Sequence, residues 1–138
     1  MVKHIVFFRL LDEAEGKTKL ENALIIRDGL LALKDKIDVL VDETVGINIP
    51  NAKNTDHDIC LTCTFRTWED LDTYATHPEH VKVAQYIGKC KSARSAVDYS
   101  ETIHSAAIYS KAIYNEVIYS KAIHNEVIYS KAIYSKAI

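Results

Sequence analysis

A tyrosine and two histidines fall within the seven residues Tyr74-Ala75-Thr76-His77-Pro78-Glu79-His80. Histidine is the side chain whose charge changes near neutral pH, so it can take or release a proton under ordinary conditions. A tyrosine beside it can donate a hydrogen bond to a carbonyl oxygen. Pro78 either breaks a helix or starts one, because it lacks an amide proton and suits the first helical position. The segment therefore holds the parts for proton transfer next to a carbonyl. Purely structural roles are equally concrete. His77 fits a capped turn, His80 a core histidine bonded to backbone, and Tyr74 a ring filling space between sheet and helix.

Metal chemistry finds little support. Neighbouring residues such as His77, Glu79 and His80 diverge around a helix, and no H-E-x-x-H or C-x-x-C…H spacing marks a zinc site. Cys60 and Cys63 do form a C-x-x-C, but inside the strand-like run Asp58 to Phe65. Residues three apart on a strand point to opposite faces. Buried structural thiols in a reducing, cytoplasmic setting are the expectation. No metal and no cofactor is expected.

Residues 2–10 are apolar on both alternating faces, with His4, Val6 and Phe8 on one side and Ile5 and Phe7 on the other. A strand apolar on both sides is covered on both sides. Helices are one cover, and a second sheet, from another subunit, is the other. After a polar turn from Asp12 to Gly16, Ala23, Ile26, Leu30, Leu33 and Ile37 recur at spacings of three and four. This predicts a helix over 17–37 with one buried stripe, weakened at Gly29.

Residues 39–49 alternate as a strand, with Val39, Val41, Val45, Ile47 and Ile49 on one face and Asp42, Thr44 and Asn48 on the wetter one. A polar loop, Pro50 to Asp56, leads to a strand over 57–66 that buries Ile59, Leu61, Cys63 and Phe65. Thr67 fits an N-cap with Asp70 as the reciprocal acid, opening a helix over 68–75. A second helix starts at Pro78 and runs to about Lys91. A strand over 93–99 closes the unit, with Ala93, Ser95, Val97 and Tyr99 on one side. The order β-α-β-β-α-β is the ferredoxin-like α+β pattern, an antiparallel sheet with helices on one face. Its uncovered apolar face calls for a homodimer.

The chain has 138 residues, with seventeen basic and nineteen acidic side chains and a net charge of −2. That length suffices for one core, and the balance gives no electrostatic case for nucleic acid or an anionic membrane. No apolar run approaches the roughly 20 residues of a membrane span. Met1 to Leu10 has no signal-peptide pattern. From Ile108 onward the sequence repeats with a period of ten, IYSKAIYNEV and then IYSKAIHNEV, followed by partial copies. This matches no common solenoid. Residues 1–100 thus form the folded domain and 101–138 a weakly structured tail, either an assembly segment or a terminal duplication without a selected role.

Several of these stretches together resemble the stress-responsive A/B barrel, or Dabb, family. They are the opening Val2-Lys3-His4-Ile5-Val6, Phe65 with Trp68-Glu69 after it, His77-Pro78-Glu79-His80-Val81, and the closing Val97-Asp98-Tyr99. The resemblance covers about residues 1–100 and implies ferredoxin-like subunits pairing through their sheets into a dimeric α+β barrel. A plant member closes a linear polyketide thioester by aldol condensation. Its catalytic pair falls on Tyr74 and His80 here, and its pocket histidines on His4 and His57.

His80 would lie in the first turn of the second helix, where the dipole disfavours imidazolium and leaves a neutral general base. Tyr74 would donate to a carbonyl or developing enolate. Three functions follow from the resemblance and these residues. One is a homodimer binding a small hydrophobic carbonyl compound. Another is a cofactor-independent cyclase or isomerase, and the third a non-catalytic stability or assembly protein. An RNA-binding role is set aside, because the strand Asp58 to Phe65 lacks the basic and multiply aromatic signature of those modules.

Overall fold

The computed structural model describes residues 1–101, and the tail expected over 101–138 lies, Glu101 apart, outside the described residues. In chain order the elements are β1 (Val2–Leu10), β2 (Glu13–Ala14), β3 (Lys17–Thr18), α1 (Lys19–Leu31), a 3-10 turn (Ala32–Asp35) and β4 (Asp42–Ile47). Then come β5 (Ile59–Phe65), α2 (Trp68–Thr76), α3 (Pro78–Cys90) and β6 (Lys91–Ser100). The main sheet has the order β4-β5-β1-β6, with every neighbouring pair antiparallel. With the small β2–β3 hairpin set aside, this is the β-α-β-β-α-β arrangement of the ferredoxin-like α+β fold.

The helices lie on one face. Val2, Val6, Phe8 and Leu10 of β1 are buried against Ala23, Ile26 and Leu30 of α1, Leu71 and Tyr74 of α2, and Ile87 of α3. Ile59, Leu61, Cys63 and Phe65 of β5 complete that core. Among the described residues nothing packs over the other face, where Phe7 is 37%, Val97 53% and Tyr99 42% exposed. Ile5 sits opposite Val97, and Lys3 opposite Tyr99, on this outer surface.

Several boundaries differ from the sequence expectation. The helix predicted over 17–37 starts at Lys19, because Lys17 and Thr18 pair with Ala14 and Glu13 in the hairpin. Thr18 then caps α1 through a full capping box with Glu21. The helix also tightens to the 3-10 turn after Leu31, although Leu33 and Ile37 stay buried as the periodicity required. The strand expected over 39–49 is confined to Asp42–Ile47, and Ile49 is 70% exposed where Pro50 turns the chain into the loop. The C-x-x-C cysteines are free, Cys63 buried on the helix side and Cys60 half-buried on the other.

Candidate functional site

Local chemistry places Tyr74 and His80. The Thr67 hydroxyl accepts from the Asp70 amide and opens α2. His77 ends α2 and caps α3, with its Nδ1 accepting from the Glu79 amide at 3.1 Å. Its extended backbone, φ −64° and ψ 135°, is the conformation a following proline favours. The resulting corner leaves Tyr74 in the last turn of α2 and His80 in the first turn of α3. Their rings stand 4.5 Å apart between centroids, tilted by 49°. On its other side Tyr74 packs on Phe65 at 5.1 Å.

The tautomer of His80 follows from its partner. Its Nδ1 lies 2.9 Å from the Ala75 carbonyl oxygen. A carbonyl only accepts, so Nδ1 carries the proton and Nε2 of the neutral ring keeps its lone pair. Burial is the main cause lowering the His80 pKa below its ordinary value, aided by the charges of His4, Arg94 and His77 and opposed by the Ala75 bond. The ring is thus neutral at pH 7 and holds a basic nitrogen.

His4 reaches the same place from the sheet. Its Nδ1 lies 2.5 Å from Asp98 Oδ1, directly across the β1–β6 ladder. His4, Tyr74 and His80 line one cavity of about 330 Å3, with Leu61 and Ile87 among its apolar walls and Arg94 and Asp98 among its charged ones. A cavity of this size suits a small organic molecule.

The Tyr74 hydroxyl lies deep, where the Cys63 thiol donates to it at 3.8 Å. Burial is the first cause raising the Tyr74 pKa above its ordinary value, and it pushes the Cys63 thiol up to about 12. Both groups therefore stay protonated. Register puts Asp98, His4, Cys63 and Glu43 in one row across four strands, on the helix side of the sheet. Glu43 ends that row with both carboxyl oxygens enclosed and without a hydrogen-bond partner of ordinary geometry.

His57 is placed elsewhere. Its ring meets Phe7 edge-on at 6.1 Å, and Phe7 belongs to the outer face of the sheet. With Phe7, Asn48, Asp56 and Cys60 it lines a separate cavity of about 510 Å3. Its Nδ1 lies 2.7 Å from Asp56 Oδ1, and Nε2 is enclosed without a partner. The structure thus joins His4, Tyr74 and His80 and sets His57 apart. Among the described residues no cluster of three or more His, Cys, Asp or Glu could hold a metal ion.

Sequence reasoning missed Asp98, Arg94 and Glu43. Asp98 needs the β1–β6 register, which couples positions 94 residues apart. Glu43 had a local signal, since it shares the parity of Val45 and Ile47 and so puts a carboxylate on the apolar side of β4.

The model of the Stress responsive A/B Barrel Domain family matches residues 2–101. A dimeric protein of unknown function from Bacteroides fragilis is 34% identical, covering 72% of this chain and 94% of its own, with a TM-score of 0.59. A protein of Arabidopsis thaliana is 21% identical over 76% of this chain and 99% of its own, with a TM-score of 0.63. The hydroxynitrile lyase from Passiflora edulis is 16% identical over 71% and 90%, with a TM-score of 0.57, a likeness of fold alone. No curated protein matches the chain.

Proposed function

Since this chain belongs to the stress responsive A/B barrel family, we propose that it works as a homodimer binding a small apolar carbonyl compound between its sheet and its helices. The observation that carries this reading is the cavity of about 330 Å3 into which α2, α3 and β1 bring Tyr74, His80 and His4. Apolar walls suit a hydrocarbon body. Tyr74 and the cationic Arg94, both among the lining residues, suit an oxygen on it. The dimer rests on two supports. The outer sheet face leaves Phe7, Val97 and Tyr99 exposed, and the relative from Bacteroides fragilis is dimeric.

A second reading rests on the stacked pair. With Nδ1 tied to Ala75, the neutral His80 ring offers Nε2 as a general base, while Tyr74 donates to the developing enolate oxygen. This would be proton abstraction next to a carbonyl, as in an aldol-type cyclase or an isomerase, with no cofactor called for. Another protein of this fold, the Passiflora edulis hydroxynitrile lyase, is an enzyme.

Acetophenone and its carbonyl-free counterpart ethylbenzene test the binding. We expect acetophenone to shift the Tyr74 and His80 ring signals saturably in NMR spectra, and ethylbenzene to bind more weakly. Shifts confined to Phe7 and His57, or equal binding of the two compounds, would sink the carbonyl reading. Deuterium exchange at the acetophenone methyl group, lost in His80→Ala, would uphold the proton-abstraction reading.

A further inference from the structure

Glu43 is the least explained group on the helix side of the sheet, a half-buried carboxyl whose oxygens are enclosed with only Lys34 offering them charge and an amide. Enclosing a carboxyl with so little compensation is costly. It stands directly opposite Cys63 on the β4–β5 ladder. The Cys63 thiol in turn donates to the Tyr74 hydroxyl at 3.8 Å, and the Tyr74 ring lies against His80. A row of neighbours therefore runs from an enclosed carboxyl to the wall of the cavity.

Resting on the carbonyl-ligand reading above, we propose that Glu43 is a positioning residue that gates the cavity through Tyr74. While neutral, it leaves the Tyr74 hydroxyl free to donate to a ligand oxygen. Once ionised, it holds that proton back and weakens ligand binding.

The physical reason is the field of one charge in a poorly solvated place. Ionised Glu43 disfavours negative charge on Tyr74, and its charge is among the causes that raise the Tyr74 pKa. A phenol whose anion is disfavoured in this way is a poorer donor to an electron-rich oxygen. Among the described residues, the charged and titratable groups around Glu43 are few. Asp42 on its own strand adds negative charge, and Lys34 in the 3-10 turn offers its ammonium and backbone amide. Cys63 on β5 and Tyr74 on α2 both stay protonated. Burial outweighs the help from Lys34, so Glu43 changes charge at about 7.

The experiment measures acetophenone binding from about pH 6 to about pH 8.5 in the wild type and in Glu43→Gln. The expected wild-type result is about fivefold weaker binding at the higher pH, the worth of one ordinary hydrogen bond. Glu43→Gln should bind equally across the range. A wild-type profile without that fall, or the same fall in Glu43→Gln, overturns the proposal. Acetophenone silent at every pH would instead overturn the carbonyl reading. The coupling is then decided in the ligand-free wild type by 13C NMR. A Glu43 carboxyl and a Tyr74 ring carbon titrating together near 7 uphold it. A Tyr74 signal that ignores Glu43 overturns it.

Discussion

Tyr74 and His80 stack with their centroids 4.5 Å apart although they belong to different helices. The corner at His77 and Pro78 makes this possible. An uninterrupted helix would set residues six apart about 9 Å from one another along its axis. Here the extended His77 ends α2, Pro78 restarts the chain as α3, and the two rings meet over the cavity.

The first prediction concerns the charge of His80. Burial lowers its pKa below the ordinary 6.5. The unfolded chain then binds the proton first as pH falls. The contribution to stability is complete above 6.5 and is lost as pH falls through the folded value. An NMR titration of the ring should give a midpoint below 6.5, and His80→Gln should flatten the acid side of a stability–pH curve. A midpoint at or above 6.5 would contradict the burial argument.

The outer sheet face supplies the second prediction. Val97 lies opposite Ile5 and close to Phe7 and Tyr99, all on the side without helices. Val97→Asp puts a charge at the centre of that patch, where an unpaired carboxylate cannot be buried cheaply. Light scattering on a sizing column should then report a monomer, with the circular dichroism of the wild type kept. A variant that stays dimeric would move the interface elsewhere.

Gly29 gives a test of helix packing. It sits inside α1, where a glycine costs about 1 kcal/mol relative to alanine. A Cβ added there would meet the two Val83 methyl groups at 3.6 Å, an ordinary contact with α3. Gly29→Ala should therefore stabilise the fold by about 0.5–1 kcal/mol in urea titrations. A destabilised variant would mean that α1 and α3 pack more closely than described.

Much of this was legible in the sequence, and the rest was not for definable reasons. The stripe Ala23, Ile26, Leu30, Leu33 and Ile37 named its own buried face, because helical period is local. So did Ile59, Leu61, Cys63 and Phe65, and the break at His77-Pro78 needed only the chemistry of proline. The ends of α1 and β4 are not legible in the sequence, because the β2–β3 pairing and the loop after Ile47 depend on tertiary contact. His4 joining Tyr74 and His80 follows from sheet parity. The exile of His57 does not, because it lies just before β5 and the loop from Asn48 to Asp56 sets its direction.

The last prediction turns on Glu43 and stability. Burial raises its pKa from 4.5 to about 7. As pH rises through that window the unfolded chain ionises first, so the fold must hold a proton that the unfolded state has released. Stability falls from 4.5 to about 7 and is level above it. Partial solvent access reduces the effect to about 1–2 kcal/mol. Gln keeps the shape and has no charge to lose. Glu43→Gln should melt close to the wild type near pH 4.5, and about 5–10 °C higher near pH 8 for a domain of this size. The same difference in melting temperature at both pH values would mean that the carboxyl is solvated rather than enclosed. It would also remove the reason for expecting its charge to reach Tyr74.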